Sequence, residues 1–131
     1  MKTSQRLTQA LSKAQMGHID EALALLEEAP DDEDNENVFG MIYFLLTAKQ
    51  RIDDAILLAG QRIEKAHDDL GHSKWRLRRG LLYLQKEQKA EAQADFAVVM
   101  RLRANEDHIA QVGQAMAALL GQPNPTKKGG C

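Results

Sequence analysis

The sequence predicts an all-α protein, and three observations carry that expectation. Of its 131 residues 44% are apolar and 27% charged, which is one domain's length and too apolar for a disordered chain. Ala and Leu supply 18 and 17 residues while Val, Ile and Thr together supply 14, so strong helix formers outnumber β-branched residues. Apolar residues also recur at helical spacing in seven segments. The prolines, at 30, 123 and 125, leave long stretches with no helix breaker.

The first helix is expected from about Thr3 to Met16, with Leu7, Ala10, Leu11 and Ala14 on one stripe and Gly17 as its terminating glycine. The second places Ile19, Ala22, Leu23 and Leu26 at i, i+3, i+4 and i+7. Pro30 and the acidic run to Asn35 separate this pair from a third helix, Val38 to Ala48. Through Leu46 that helix is apolar everywhere except at amphipathic Tyr43 and small Gly40. Such a helix is either buried on all sides or faces something outside the chain, and the residues leave both readings open.

The fourth helix starts at Ile52 and carries Ala55, Ile56, Ala59, Ile63 and Ala66 on one stripe. Leu70-Gly71-His72 reads as a separator, so the fifth is expected from Trp75 to Lys86 with Ser73 as its cap. The sixth carries Ala92, Phe96 and Val99. The seventh runs from about Asn105 to Leu120, with Asn105 as cap and Glu106 and Asp107 favouring its N-terminal dipole. Ile109, Val112, Met116, Leu119 and Leu120 form its apolar stripe. His108, Gln111 and Gln114 lie on a polar face, as a terminal capping helix requires. The tail has two prolines and no periodicity, giving one helical domain over 1–121 and a disordered tail over 122–131. Its Gly-Gly-Cys end reads equally as native or as a labelling handle.

The chain repeats itself. Ile19-Asp20-Glu21-Ala22 recurs 33 residues later as Ile52-Asp53-Asp54-Ala55, and Ala92 lies 37 residues after Ala55. A period in the thirties marks a helical repeat array. In the third pair Gly80, Tyr83, Ala92 and Phe96 hold the spacing of a small residue, an aromatic, an alanine and a large apolar residue. This pattern resembles the tetratricopeptide repeat, a helix–turn–helix unit of 34 residues. Ala10, Ala22 and Leu26 fit in the first copy, with Lys13 at the aromatic position. Phe39, Ile42, Leu46 and Ala55 fit in the second, with either Tyr43 at the small position or Gly40 and Tyr43 in a register three residues longer. The pattern's Trp falls one residue off as Trp75, Arg79 replaces its Leu, and Ala104 stands where it closes on Pro. The physical logic does not need the name: a small residue where helices cross admits close approach, and an aromatic fills the space beside it.

The resemblance covers about residues 3–104. It implies a right-handed superhelical stack of three pairs, capped by the seventh helix, whose first helices line a concave groove for a peptide or partner helix. The groove positions it implies are Leu7, Leu11, Gly40, Phe44, Leu77, Leu81 and Leu84. Members that clamp a chaperone's terminal carboxylate use Lys, Arg or Asn there; these positions are nearly all apolar, which suits a helix face or hydrophobic segment. Small tetratricopeptide chaperones of bacterial secretion systems are similar in size and groove character. The expected function is a non-catalytic adaptor or chaperone binding another protein.

Two other readings come from charge. Asp20 to Glu36 holds nine acidic residues and no Lys or Arg, whereas Lys74 to Arg103 holds eight basic residues against three acidic. Opposite ends of opposite sign suit a self-assembling scaffold or homo-oligomer. Arg76, Arg78, Arg79, Arg101 and Arg103 form a basic surface able to meet RNA phosphates. Against this, Trp75 and Tyr83 are the only aromatics near it for base stacking, and the pI is near 6.1.

The residues give no reason to expect an enzyme. There is no phosphate-cradling glycine loop, no nucleophile elbow and no HExxH or CxxC spacing. His67 and His72 flank Asp68 and Asp69 in an expected loop without ligand spacing, and Asp31–Asp34 lacks a calcium loop's pattern. No metal or cofactor is expected. Cys131 is the sole cysteine, so no intrachain disulfide forms and the thiol is an ordinary exposed one. No apolar run approaches the ~20 residues of a membrane span. The first 17 residues lack acids and the apolar core of a secretory signal; although a transit peptide shares their basic, hydroxylated character, the repeat gives them a structural role. A cytoplasmic protein is the expectation.

Overall fold

The computed structural model describes residues 3–28 and 36–121. It is all-helical there: α1 Thr3–Gln15, α2 Ile19–Glu27, α3 Glu36–Ala48, α4 Ile52–Lys65, α5 Asp69–Gln85, α6 Lys89–Leu102 and α7 Glu106–Leu119. The acidic run from Asp31 to Asp34, the separator at Pro30 and the tail with Cys131 lie outside the described residues. The chain forms two compact units, Met1–Ile52 and Asp53–Cys131.

One turn is built three times, and its first bond recurs at Gly121. Gly17, Gln50, Glu87 and Gly121 all adopt positive φ, at 84°, 60°, 59° and 70°. The first three are 33 and 37 residues apart, the intervals of the sequence repeat. At Gly17, Gln50 and Glu87 the amide bonds to the carbonyl three residues back, of Ala14, Thr47 and Leu84. The next amide then reaches five back: His18 to Lys13, Arg51 to Leu46 and Gln88 to Tyr83, at 2.8 Å each. This double closure satisfies carbonyls that the helix end would orphan. Gly121 N–H repeats the first bond, to Ala118 O. Only two of these positions carry the residue that enters the left-handed region without steric cost.

In the first unit α1 and α2 pack as a hairpin and α3 lies against both. Ala10, Ala22, Leu23, Leu26, Val38, Ile42, Leu45 and Leu46 are its buried apolar residues. Lys13 bridges Glu21 at 3.0 Å and holds that carboxyl below its ordinary range, and Lys49 after α3 reaches Asp20 at 3.4 Å. Arg6 donates to Leu25 O at 3.2 Å and lies 3.5 Å from Glu28.

The second unit repeats the lysine contact: Lys86, after α5, donates to Asp53 at the start of α4 at 2.6 Å. Its centre is the close crossing of α5 and α6. A Cβ on Gly80 would sit 2.5 Å from Phe96 Cε1 and 2.9 Å from Cδ1, so the ring occupies the space that glycine leaves. Gly80 is the small residue that the sequence places at a crossing, but the ring against it is Phe96, at the large apolar position, and not Tyr83, at the aromatic one. Gly40, by contrast, has no described atom within 4 Å of such a Cβ and marks no close crossing.

Two sequence expectations are corrected at α5. The helix begins at Asp69 rather than Trp75, so Leu70-Gly71-His72 is its first turn and not a separator. The cap is Asp68, whose Oδ1 accepts from Gly71 N–H at 2.7 Å. Ser73 is instead fully buried inside the helix. Asn105 does cap α7, its Oδ1 accepting from His108 N–H at 3.0 Å.

Candidate binding surfaces

The expected groove residues fall in both units and meet different fates. In the first unit α1 exposes Ser4, Gln5, Thr8, Gln9, Leu11, Ser12 and Gln15, none of them charged. Its two cations, Arg6 and Lys13, turn toward α2. Leu7 and Gly40 are half-buried, Leu11 is 48% exposed and Phe44 is 66% exposed. Helix α3 is therefore not buried on all sides: Val38, Ile42, Leu45 and Leu46 fill the core while Phe44 stands out into solvent. Ser4, Gln5, Thr8 and Gln9 line an open depression of about 280 Å³, a shallow uncharged surface rather than an enclosed ligand pocket.

In the second unit Leu77 is only 4% exposed. It shares a core with Ala92, Phe96, Val99, Val112 and Ala115, and Leu81, Tyr83, Leu84 and Met116 pack around that core. The chain's own α7 thus contributes Val112, Ala115 and Met116 to the cluster that holds Leu77. Leu77 is a core residue in this arrangement, not a free anchor, and Leu81 and Leu84 are partly covered with it.

The basic surface is largely spent on internal contacts. Asp95, 1% exposed in α6, accepts from Arg76 Nη1 at 3.0 Å and from Arg79 Nε and Nη2 at 2.8 and 2.7 Å. The two-pronged Arg79 contact is the strong form of this pairing. It raises the guanidinium's pKa above its ordinary value despite partial desolvation. Arg78 stacks over buried Trp75, 4.6 Å from the ring centroid, and Arg79 also lies 5.7 Å from the Tyr83 ring. Of the five arginines, Arg101 and Arg103 are exposed. The sequence reading missed Asp95, although its place between Ala92 and Val99 puts a carboxylate on the apolar stripe.

A second missed pair is Ser73 and His108. Ser73 Oγ lies 2.8 Å from His108 Nδ1 and ties α5 to the first turn of α7. Burial pushes the His108 pKa down; Arg78 and Lys74 push the same way and Asp107 opposes them. Of the expected loop, His67 does lie between α4 and α5, Asp68 caps α5, and Asp69 and His72 belong to its first turn. Among the described residues no group of His, Cys, Asp and Glu is placed to hold a metal ion. No helix there is long and apolar enough to cross a membrane.

Comparison with family models, curated proteins and solved structures gives no match to this chain.

Proposed function

We propose that the chain is a non-catalytic protein-binding module, an adaptor or chaperone that takes a partner helix or hydrophobic segment against the exposed residues of α1 and α3. The observation that carries this reading is Phe44. A large aromatic held two-thirds exposed on a helix otherwise free of charge from Val38 to Ala48 loses nothing electrostatically when covered. Burying Phe44 and Leu11 supplies about 1–2 kcal/mol each, since part of each side chain is already covered. Supplementary contacts along the uncharged α1 face would bring such an interface to micromolar affinity. The resemblance to tetratricopeptide repeats, with its stacked helix pairs and cytoplasmic adaptor roles, belongs to this proposal. Recurrence of one turn at the repeat interval supports it.

Self-association is the second reading, favoured by the same uncharged face, which meets its own copy without like-charge opposition. Assembly through acidic and basic ends has less support, because Asp20, Glu21, Arg76 and Arg79 have partners within their own units. The test is Phe44→Glu. We expect unchanged helicity by circular dichroism and loss of association in sedimentation, with partner or with self. An unfolded variant would place Phe44 in the core and overturn the reading.

A further inference from the structure

We infer that α3 pairs antiparallel with the α3 of a second copy, each Phe44 entering the gap at the other copy's Gly40. The pairing rests on the exposed Phe44 surface of the proposed function and names one helix that covers it.

Gly40 is a glycine that the fold itself does not require. It lies inside α3, where glycine is among the least favourable residues, and its backbone is not left-handed. A Cβ there would meet no described atom within 4 Å. Neither local conformation nor packing within the chain therefore asks for a glycine. At Gly80 the space left by the missing side chain is filled by the Phe96 ring, whereas at Gly40 it stands open. One turn further along the same face stands Phe44, 66% exposed. Gly40, Phe44 and Thr47, at i, i+4 and i+7, form the row opposite the buried Val38, Ile42, Leu45 and Leu46. Thr47 Oγ1 donates to Phe44 O at 2.8 Å, so its hydroxyl is satisfied within the helix.

A notch and a knob one turn apart on one helix complement a second copy of themselves. A two-fold axis at the level of residue 42, midway between them, sets Gly40 of each copy against Phe44 of the other. One operation thus fills both gaps and covers both rings. A side chain of another protein could enter the notch, but the second copy carries knob and notch at the matching spacing. Glycine at the contact lets the two backbones approach closely. Charge fixes the direction. Glu36 opens α3 and Arg51 follows it, and both are exposed. Parallel copies would set Glu36 beside Glu36 and Arg51 beside Arg51. Antiparallel copies bring each Glu36 to the end that carries the other's Arg51, and they oppose the two helix dipoles.

The test is sedimentation equilibrium of the full chain as wild type, Phe44→Ala and Gly40→Leu, each checked for helicity by circular dichroism. Wild type should dimerise in the micromolar range. Copies of Phe44→Ala lack the knob and copies of Gly40→Leu lack the notch, so each variant alone should associate about tenfold more weakly. An equimolar mixture of the two should recover the dimer. There the remaining Phe44 meets the remaining Gly40, and the introduced leucine meets the introduced alanine. Gly40→Met takes the place of Gly40→Leu if the latter loses helicity. A monomeric wild type, a folded Gly40→Leu that dimerises as wild type does, or a mixture no better than its components overturns the pairing. Capture of another protein that depends on Phe44 would uphold the protein-binding reading even where the pairing fails, so the two fail separately.

Discussion

Alanine at Gly80 and alanine at Gly113 are the same chemical change within one unit, and the packing gives them opposite signs. Each replaces a helix-interior glycine, a gain of about 0.8–1 kcal/mol in backbone propensity. At Gly113 a Cβ meets no described atom within 4 Å, so the whole gain is kept. At Gly80 it meets three atoms of the Phe96 ring at 2.5, 2.9 and 3.1 Å. Phe96 is 1% exposed and cannot swing aside into solvent, so the ring or the helix must shift. Overpacking of this kind costs about 1–3 kcal/mol. The net at Gly80 is about 0–2 kcal/mol destabilising, and the two variants differ by about 1–3 kcal/mol. Urea unfolding followed by the fluorescence of Trp75, the only tryptophan and 1% exposed in α5, reads the unit concerned. Phe96→Leu in the Gly80→Ala background should recover part of the loss, as expected of residues that share one space. If Gly80→Ala stabilises as much as Gly113→Ala, the close crossing of α5 and α6 is wrong.

Three further outcomes follow from local geometry. Gln50→Gly and Glu87→Gly should each stabilise by about 0.5–1 kcal/mol, because left-handed backbone costs a side-chain-bearing residue more than glycine loses in entropy; Gly17→Ala should cost about 1 kcal/mol by the converse, all read as shifts in thermal midpoint. Asp95→Asn should destabilise by about 2–3 kcal/mol in urea, below the usual cost of breaking a buried pair because Arg76 and Arg79 keep 26% and 21% of their side-chain surface in water. The stability of the unit containing His108 should hold above about pH 6.5 and decline below it, with the decline abolished in His108→Gln.

How much was legible in the sequence depends on how local the cause is. Gly17 and Asn105 act on backbone within a few residues of themselves, and both do what their positions imply. The 33- and 37-residue intervals reappear as a repeated turn, and they differ by four because α5 has 17 residues where α1 and α3 have 13. The start of α5 was misplaced because Leu70-Gly71-His72 looks like a breaker, whereas Gly71 is tolerated where its amide meets Asp68. Ser73 reads as a cap until its partner, 35 residues away in α7, is known. Asp95 was hidden for a related reason: in a basic stretch a carboxylate looks like one more solvated charge. Leu77 shows the limit of periodicity, which identifies an apolar face but not whether the chain itself covers it.

The most direct test of the binding reading is a pull-down from native lysate comparing wild type with a Leu11→Ser, Phe44→Ser variant verified as folded. Bound species are identified by mass spectrometry and by absorbance at 260 nm. The account predicts a protein retained by wild type and lost by the variant, because the substitutions remove exposed apolar area from α1 and from α3. Recovery of the same proteins with both baits, or of nucleic acid alone, would contradict it and turn attention to the exposed arginines Arg101 and Arg103.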